Sequence, residues 1–176
     1  FSRTSAKILG MNYSCLLAEH TFRQCQELFP DALRAKIKND IIPLSFISYI
    51  NTAVISGISG IARGSSQTAF AHEFYELVRT LFPRKVKNFI HGELVAMGLA
   101  VQLEYNKQGE QILALCNLLK KYALPLYLFD IPIAPQKNME NLFPAMADSD
   151  SMANEGAQGH ERLRSALNRL FNTEIQ

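Results

Sequence analysis

Phe89-Ile-His-Gly-Glu-Leu-Val-Ala-Met-Gly-Leu-Ala-Val-Gln102 is an apolar, small-residue stretch opened by a polar His-Gly-Glu triplet. It has helix spacing and no alternation, and helices open well on an acidic residue that meets the partial positive charge of the first turn. Gly92 reads as a close-packing position and Glu93 as either a first-turn carboxylate or a group that orients an imidazole. A second apolar helix is expected over Gln67-Thr-Ala-Phe-Ala-His-Glu-Phe-Tyr-Glu-Leu-Val78. It carries His72, 19 positions before His91. Two imidazoles on consecutive helices can converge.

Outward from this pair, helical periodicity dominates. A helical pattern is under way at Ser5, and Leu16, Leu17, Phe22, Cys25 and Leu28 continue it from Tyr13 to Leu28. Pro30-Asp31 is expected to start a new helix through Ala32 to Lys38. Pro43 to Ile55 reads as another helix, favoured by its length over the buried strand that its β-branched content would also allow, and Ser56 to Ser66 as a Gly/Ser loop with Ser65 or Ser66 capping the His72 helix. The three basic residues of Pro83 to Asn88 suit a solvated turn. Gly109 opens a helix that ends before Leu124-Pro125. Leu126 to Ile133 is the one good strand candidate, with an extended loop as an equal alternative because of Pro132 and Pro135. Ala147 to Gly159 reads as a mobile polar loop before a last helix from Glu161 to Phe171.

The chain has 176 residues, 48% of them hydrophobic, which predicts one all-α domain over residues 1–176 with a multi-helix core. Net charge is +2, with 18 basic and 16 acidic residues spread along the chain, which argues against nucleic acid or an anionic membrane as partner. No apolar run of about 18 residues is free of polar interruption. Cys15, Cys25 and Cys116 form no CxxC pair and suit buried free thiols in a reducing cytoplasm. The start at Phe1, with a helix already under way, suggests a fragment.

Asn51-Thr-Ala-Val-Ile-Ser-Gly, the Gly/Ser-rich segment, Ala71-His72 and Ile90-His-Gly-Glu-Leu-Val-Ala-Met-Gly resemble the C-terminal helical domain of metal-dependent glycerol dehydrogenases. These belong with the iron-containing alcohol dehydrogenases in the dehydroquinate synthase-like superfamily. The resemblance runs from about Ser5 to Tyr122. It implies a preceding nucleotide-binding domain absent from this chain, and a divalent metal, zinc before iron, with His72 and His91 as its histidine ligands. Neutral imidazoles suit such metals, and an open coordination position admits a substrate oxygen. The resemblance further implies a small-molecule alcohol or polyol substrate, hydride transfer to NAD(P) in the full-length parent, and a tendency to form homo-oligomers.

Three features depart from the family pattern. The Gly-x-x-Asp-Ala-type segment that supplies the acidic ligand is missing. Tyr75 and Glu76 stand where many relatives have a further histidine, so a proton-relay role does not carry over, although Glu76 is a substitute polar group. A register shifted by four residues would put Thr68 at the ligand position and His72 at the second histidine; the Gly/Ser segment and the spacing to His91 favour His72 as ligand. Asp148, Asp150 and Glu155 are minor candidates for the missing carboxylate, and His20 and His160 have no ligand-type neighbours. A polyol-phosphate dehydrogenase or a dehydroquinate synthase-like cyclase is the alternative if Arg63, Arg84 or Lys85 faces the site. A non-catalytic helical interaction domain is the alternative from another class.

Overall fold

A computed structural model describes residues 3–38, 41–64, 70–125, 133 and 137–172. It is all-helical among these residues. The elements are α1 (Arg3–Lys38), α2 (Ile41–Tyr49), a π-helical turn (Ile50–Val54), α3 (Ile55–Gly64), α4 (Phe70–Leu81), α5 (His91–Tyr105), α6 (Gly109–Lys121), a second π-turn (Asn138–Leu142), α7 (Phe143–Ala147), a 3-10 turn (Asp150–Met152) and α8 (Gly156–Asn172). The strand candidate, apart from Ile133, and the two serine caps lie outside the described residues. Contacts divide the chain into two compact units, residues 1–67 and 68–176.

In the first unit α1 contacts both α2 and α3. The expected break at Pro30 is absent: α1 continues through it. Proline removes one helical N–H and disturbs a single turn, and the rest of this 36-residue helix continues around that one fault. Nor is the Gly/Ser segment a loop as far as Gly64, where α3 ends. Glycine costs about 1 kcal/mol in a helix, yet Ile58 and Ile61 of α3 are half-buried at i, i+3 spacing, and such an apolar stripe offsets that cost. Because helix runs unbroken from Ile41 to Gly64, Leu44–Ile61 forms an uncharged 18-residue window of mean hydropathy 1.4, of which 6% is buried. By length and composition alone it could cross a membrane; its polar residues are Ser, Asn and Thr.

The second unit holds the large side chains of the core. Phe74, Val78, Leu94, Val101, Leu142, Met146, Leu163 and Leu167 are fully or almost fully buried. α4 and α5 make the most extensive contact between helices of this unit, and α5 also touches α6 and α8. The turn between α4 and α5 is solvated as expected, but Val86 is completely buried and pins it to the core. The expected mobile loop at Ala147–Gly159 is instead bound in place. Met152 is buried, the Ser151 N–H and Oγ both donate to the Glu73 carboxylate, and α8 starts at Gly156. The polar residues that suggested a loop are the ones making these bonds. Of the three free thiols, Cys116 is buried as expected but Cys15 is exposed. Burial pushes the Cys116 thiol pKa up.

Candidate metal centre

On α4 the core face is Phe70, Ala71, Phe74 and Val78, which are buried at i, i+1, i+4 and i+8. That phase leaves His72, Tyr75, Glu76 and Arg79 as a second stripe at i, i+3, i+4 and i+7. His72 and His91 are both exposed, and their ring centroids lie 5.4 Å apart at an interplanar angle of 50°. Two imidazoles bound to one tetrahedral zinc place their ring centres roughly 5 Å apart, given Zn–N distances of about 2 Å. The pair therefore has the spacing for a shared metal ion. Tyr75 packs edge-on against His91 at 4.3 Å.

Two further groups hold the pair's helices in place, and no local sequence pattern singles out either of them. Arg79 lies over the Tyr75 ring at 5.7 Å and donates from Nη2 to the Phe89 carbonyl at 2.9 Å. It thereby ties the end of α4 to the residues just before His91. Its Nε is buried with no hydrogen-bond partner among the described residues. The second is Gly98. A Cβ there would stand 2.6 Å from the Ala71 carbonyl oxygen and 2.9 Å from the Ala71 Cα, so α4 and α5 meet backbone to backbone one residue from His72. That close-packing role, expected of Gly92, falls to Gly98 instead, since nothing lies within 4 Å of a Cβ placed at Gly92. Gly92 belongs to the exposed first turn, six residues before the close approach at Gly98.

Glu93 is a helix-end carboxylate. Its Oε2 accepts the Ile90 N–H at 2.9 Å, which satisfies one donor of the first turn of α5. Among the described residues no group of three His, Cys, Asp or Glu side chains converges on a common point. Glu155 is committed elsewhere: its Oε2 accepts the Tyr105 hydroxyl at 2.5 Å and Arg162 Nη2 at 2.9 Å. Burial, then the Glu155 carboxylate, raises the Tyr105 pKa to about 12. His20 is exposed on α1 and His160 half-buried on α8. Arg84 and Lys85 are exposed in the α4–α5 turn. Lys85 borders a cavity of about 400 Å³ over Leu81, Phe82 and Ile133, whose lining includes neither histidine.

No protein-family model matches the chain, and no curated protein or solved structure matches it at a significant level.

Proposed function

We propose that this chain is the metal-binding helical part of an NAD(P)-dependent alcohol or polyol dehydrogenase. The observation that carries the reading is the 5.4 Å approach of two imidazoles delivered by separate helices. In this reading His72 and His91 present neutral ring nitrogens to a divalent cation, zinc before iron. A metal held there supplies Lewis-acid polarisation of a hydroxyl or carbonyl oxygen. Tyr75 and Arg79 fix the His91 side of the pair, and the Glu93 cap fixes the start of the helix that carries it. Nicotinamide binding is assigned to no residue of this chain, whose described residues contain no strand to build a βαβ nucleotide fold.

Zinc titration of the 176-residue chain against a chromophoric chelator tests the ligand pair. Loss of a group that merely orients a ligand costs about 10- to 100-fold in affinity, so His72→Ala and His91→Ala should each weaken binding at least that much. Equal affinity in the wild type and both variants would remove the metal centre. Substrate class is read separately: 1,2-propanediol added to the cobalt-loaded chain should change its visible spectrum if an alcohol oxygen enters the coordination sphere. A spectrum unmoved by any diol would sink the alcohol reading while leaving the metal in place.

A further inference from the structure

The cavity of about 400 Å³ beside the α4–α5 turn is lined from separate elements of the second unit. Phe82 and Lys85 line it from the turn, Lys137 and Asn141 from around the second π-turn, and buried Ile133 adds apolar surface. Both elements are fixed by the fold. The Phe82 carbonyl accepts the N–H groups of Lys85 at 2.9 Å and Val86 at 3.2 Å, and Val86 is completely buried. Asn141 Nδ2 donates to the Lys137 carbonyl at 3.1 Å, and Leu142, which ends the π-turn, is almost fully buried. The volume falls within the range of about 300–1,000 Å³ that small-molecule sites occupy.

The charge on this lining is uneven. Lys85 and Lys137 are exposed, and among the described residues neither ammonium joins an ion pair. Glu140, the carboxylate of the lining, is itself engaged. A lysine beside an apolar hollow is most often a rim residue that reaches out to water. Two of them on one lining, carried by separate anchored elements over Phe82 and Ile133, combine a place for negative charge with a place for hydrocarbon.

We propose that this cavity binds a small amphipathic monocarboxylate, with its aliphatic chain on Leu81, Phe82 and Ile133 and its carboxylate held by Lys85 and Lys137. A carboxylate accepts charge-assisted hydrogen bonds from ammonium groups, and each methylene taken fully out of water tightens binding about fourfold. Neither histidine lines the cavity, so this site stands apart from the metal reading.

The test titrates the 176-residue chain with octanoate, followed by calorimetry and by the amide NMR shifts of Phe82, Lys85 and Asn141. Binding should saturate, move those three amides, and tighten along the series from butanoate to octanoate. Lys85→Gln and Lys137→Gln, both surface changes that leave the core intact, should each weaken octanoate binding about fivefold, the upper range for an exposed charge pair. Lys121→Gln, a lysine outside the cavity, and His72→Ala should leave it unchanged. Octanol lacks the charge, so it should bind more weakly and ignore both lysine substitutions. Octanol binding as tightly as octanoate, or octanoate affinity unmoved in Lys85→Gln and Lys137→Gln, would overturn carboxylate recognition. Inorganic phosphate displacing octanoate at equal concentration would overturn the need for an apolar chain, and unshifted amides at Phe82, Lys85 and Asn141 would overturn the location.

Discussion

The two units solve burial in opposite ways. In residues 68–176 the helices turn Phe74, Leu94, Leu142, Met146 and Leu163 inward. Among the described residues of 1–67 the buried side chains are Ser14, Thr21, Ala32 and Ile50, while Leu9, Leu16, Phe22, Phe46 and Tyr49 are each more than half exposed. Small residues inside let helices approach closely, but they return little hydrophobic free energy, which scales with apolar area removed from water. The second unit thus generates its own cohesion, and the histidine pair is mounted on its best-buried helices. The first unit displays apolar surface of the kind that marks contact with something other than water.

That contrast is broken most severely from the second unit. Phe74→Ala, in the contact between α4 and α5, should cost about 3–5 kcal/mol in a denaturant melt. Leu16→Ala on the exposed side of α1 should stay within about 0.5 kcal/mol. Similar losses at both positions would mean that the first unit has a core after all. Next in size is Gly98→Ala. Overpacking of this kind costs about 1–3 kcal/mol, and here it presses against the Ala71 backbone, so zinc affinity should fall along with stability. Gly92→Ala, with open space around it, is the matched control and should leave both nearly unchanged.

The smallest effect is the most diagnostic of the bound-down segment before α8. Arg162 Nη2 donates to the Tyr105 hydroxyl at 3.0 Å as well as to Glu155, and the guanidinium lies 4.6 Å from the Tyr105 ring centroid. Tyr105→Phe should cost about 1–2 kcal/mol near neutral pH. The folded pKa of about 12 lies above the ordinary value of 10, so the neutral phenol is favoured by folding. The wild-type advantage over Tyr105→Phe is therefore full below pH 10 and should shrink as pH rises from 10 toward 12. Paired urea melts across that range check it, and a constant difference would place Tyr105 outside the titration.

Helix content was readable in the sequence because apolar residues repeat at helical spacing from Leu16 to Leu28 and again through α4, α5 and α6. Continuity was not readable. Pro30 and the glycines of α3 are local signals of breakage, and pairing between helices overrode both. At the candidate site, His72 and His91 were visible as residue types, and the structure sets them side by side. Gly98 and Arg79 were missed because their roles come from what lies across the helix interface, Ala71 and Phe89, which no local pattern encodes. The 147–159 segment was misread for the same reason: Ser151 and Glu155 look like solvated loop residues until Glu73, Tyr105 and Arg162 are seen opposite them.

The bond from Arg79 to the Phe89 carbonyl bears on how this chain can change length. It spans the turn joining the two histidine helices, and buried Val86 anchors the middle of the same turn. One residue gained or lost within a helix rotates everything beyond it by about 100° and shifts it about 1.5 Å. A deletion between Leu81 and His91 would have to be absorbed by a turn already fastened at its centre and its far end, and the two imidazoles would part. An insertion or deletion should therefore disturb the ring pair more between Phe82 and Ile90 than at the exposed α5–α6 corner around Lys107 and Gln108, because the first segment is a ruler whose length sets the distance between the rings.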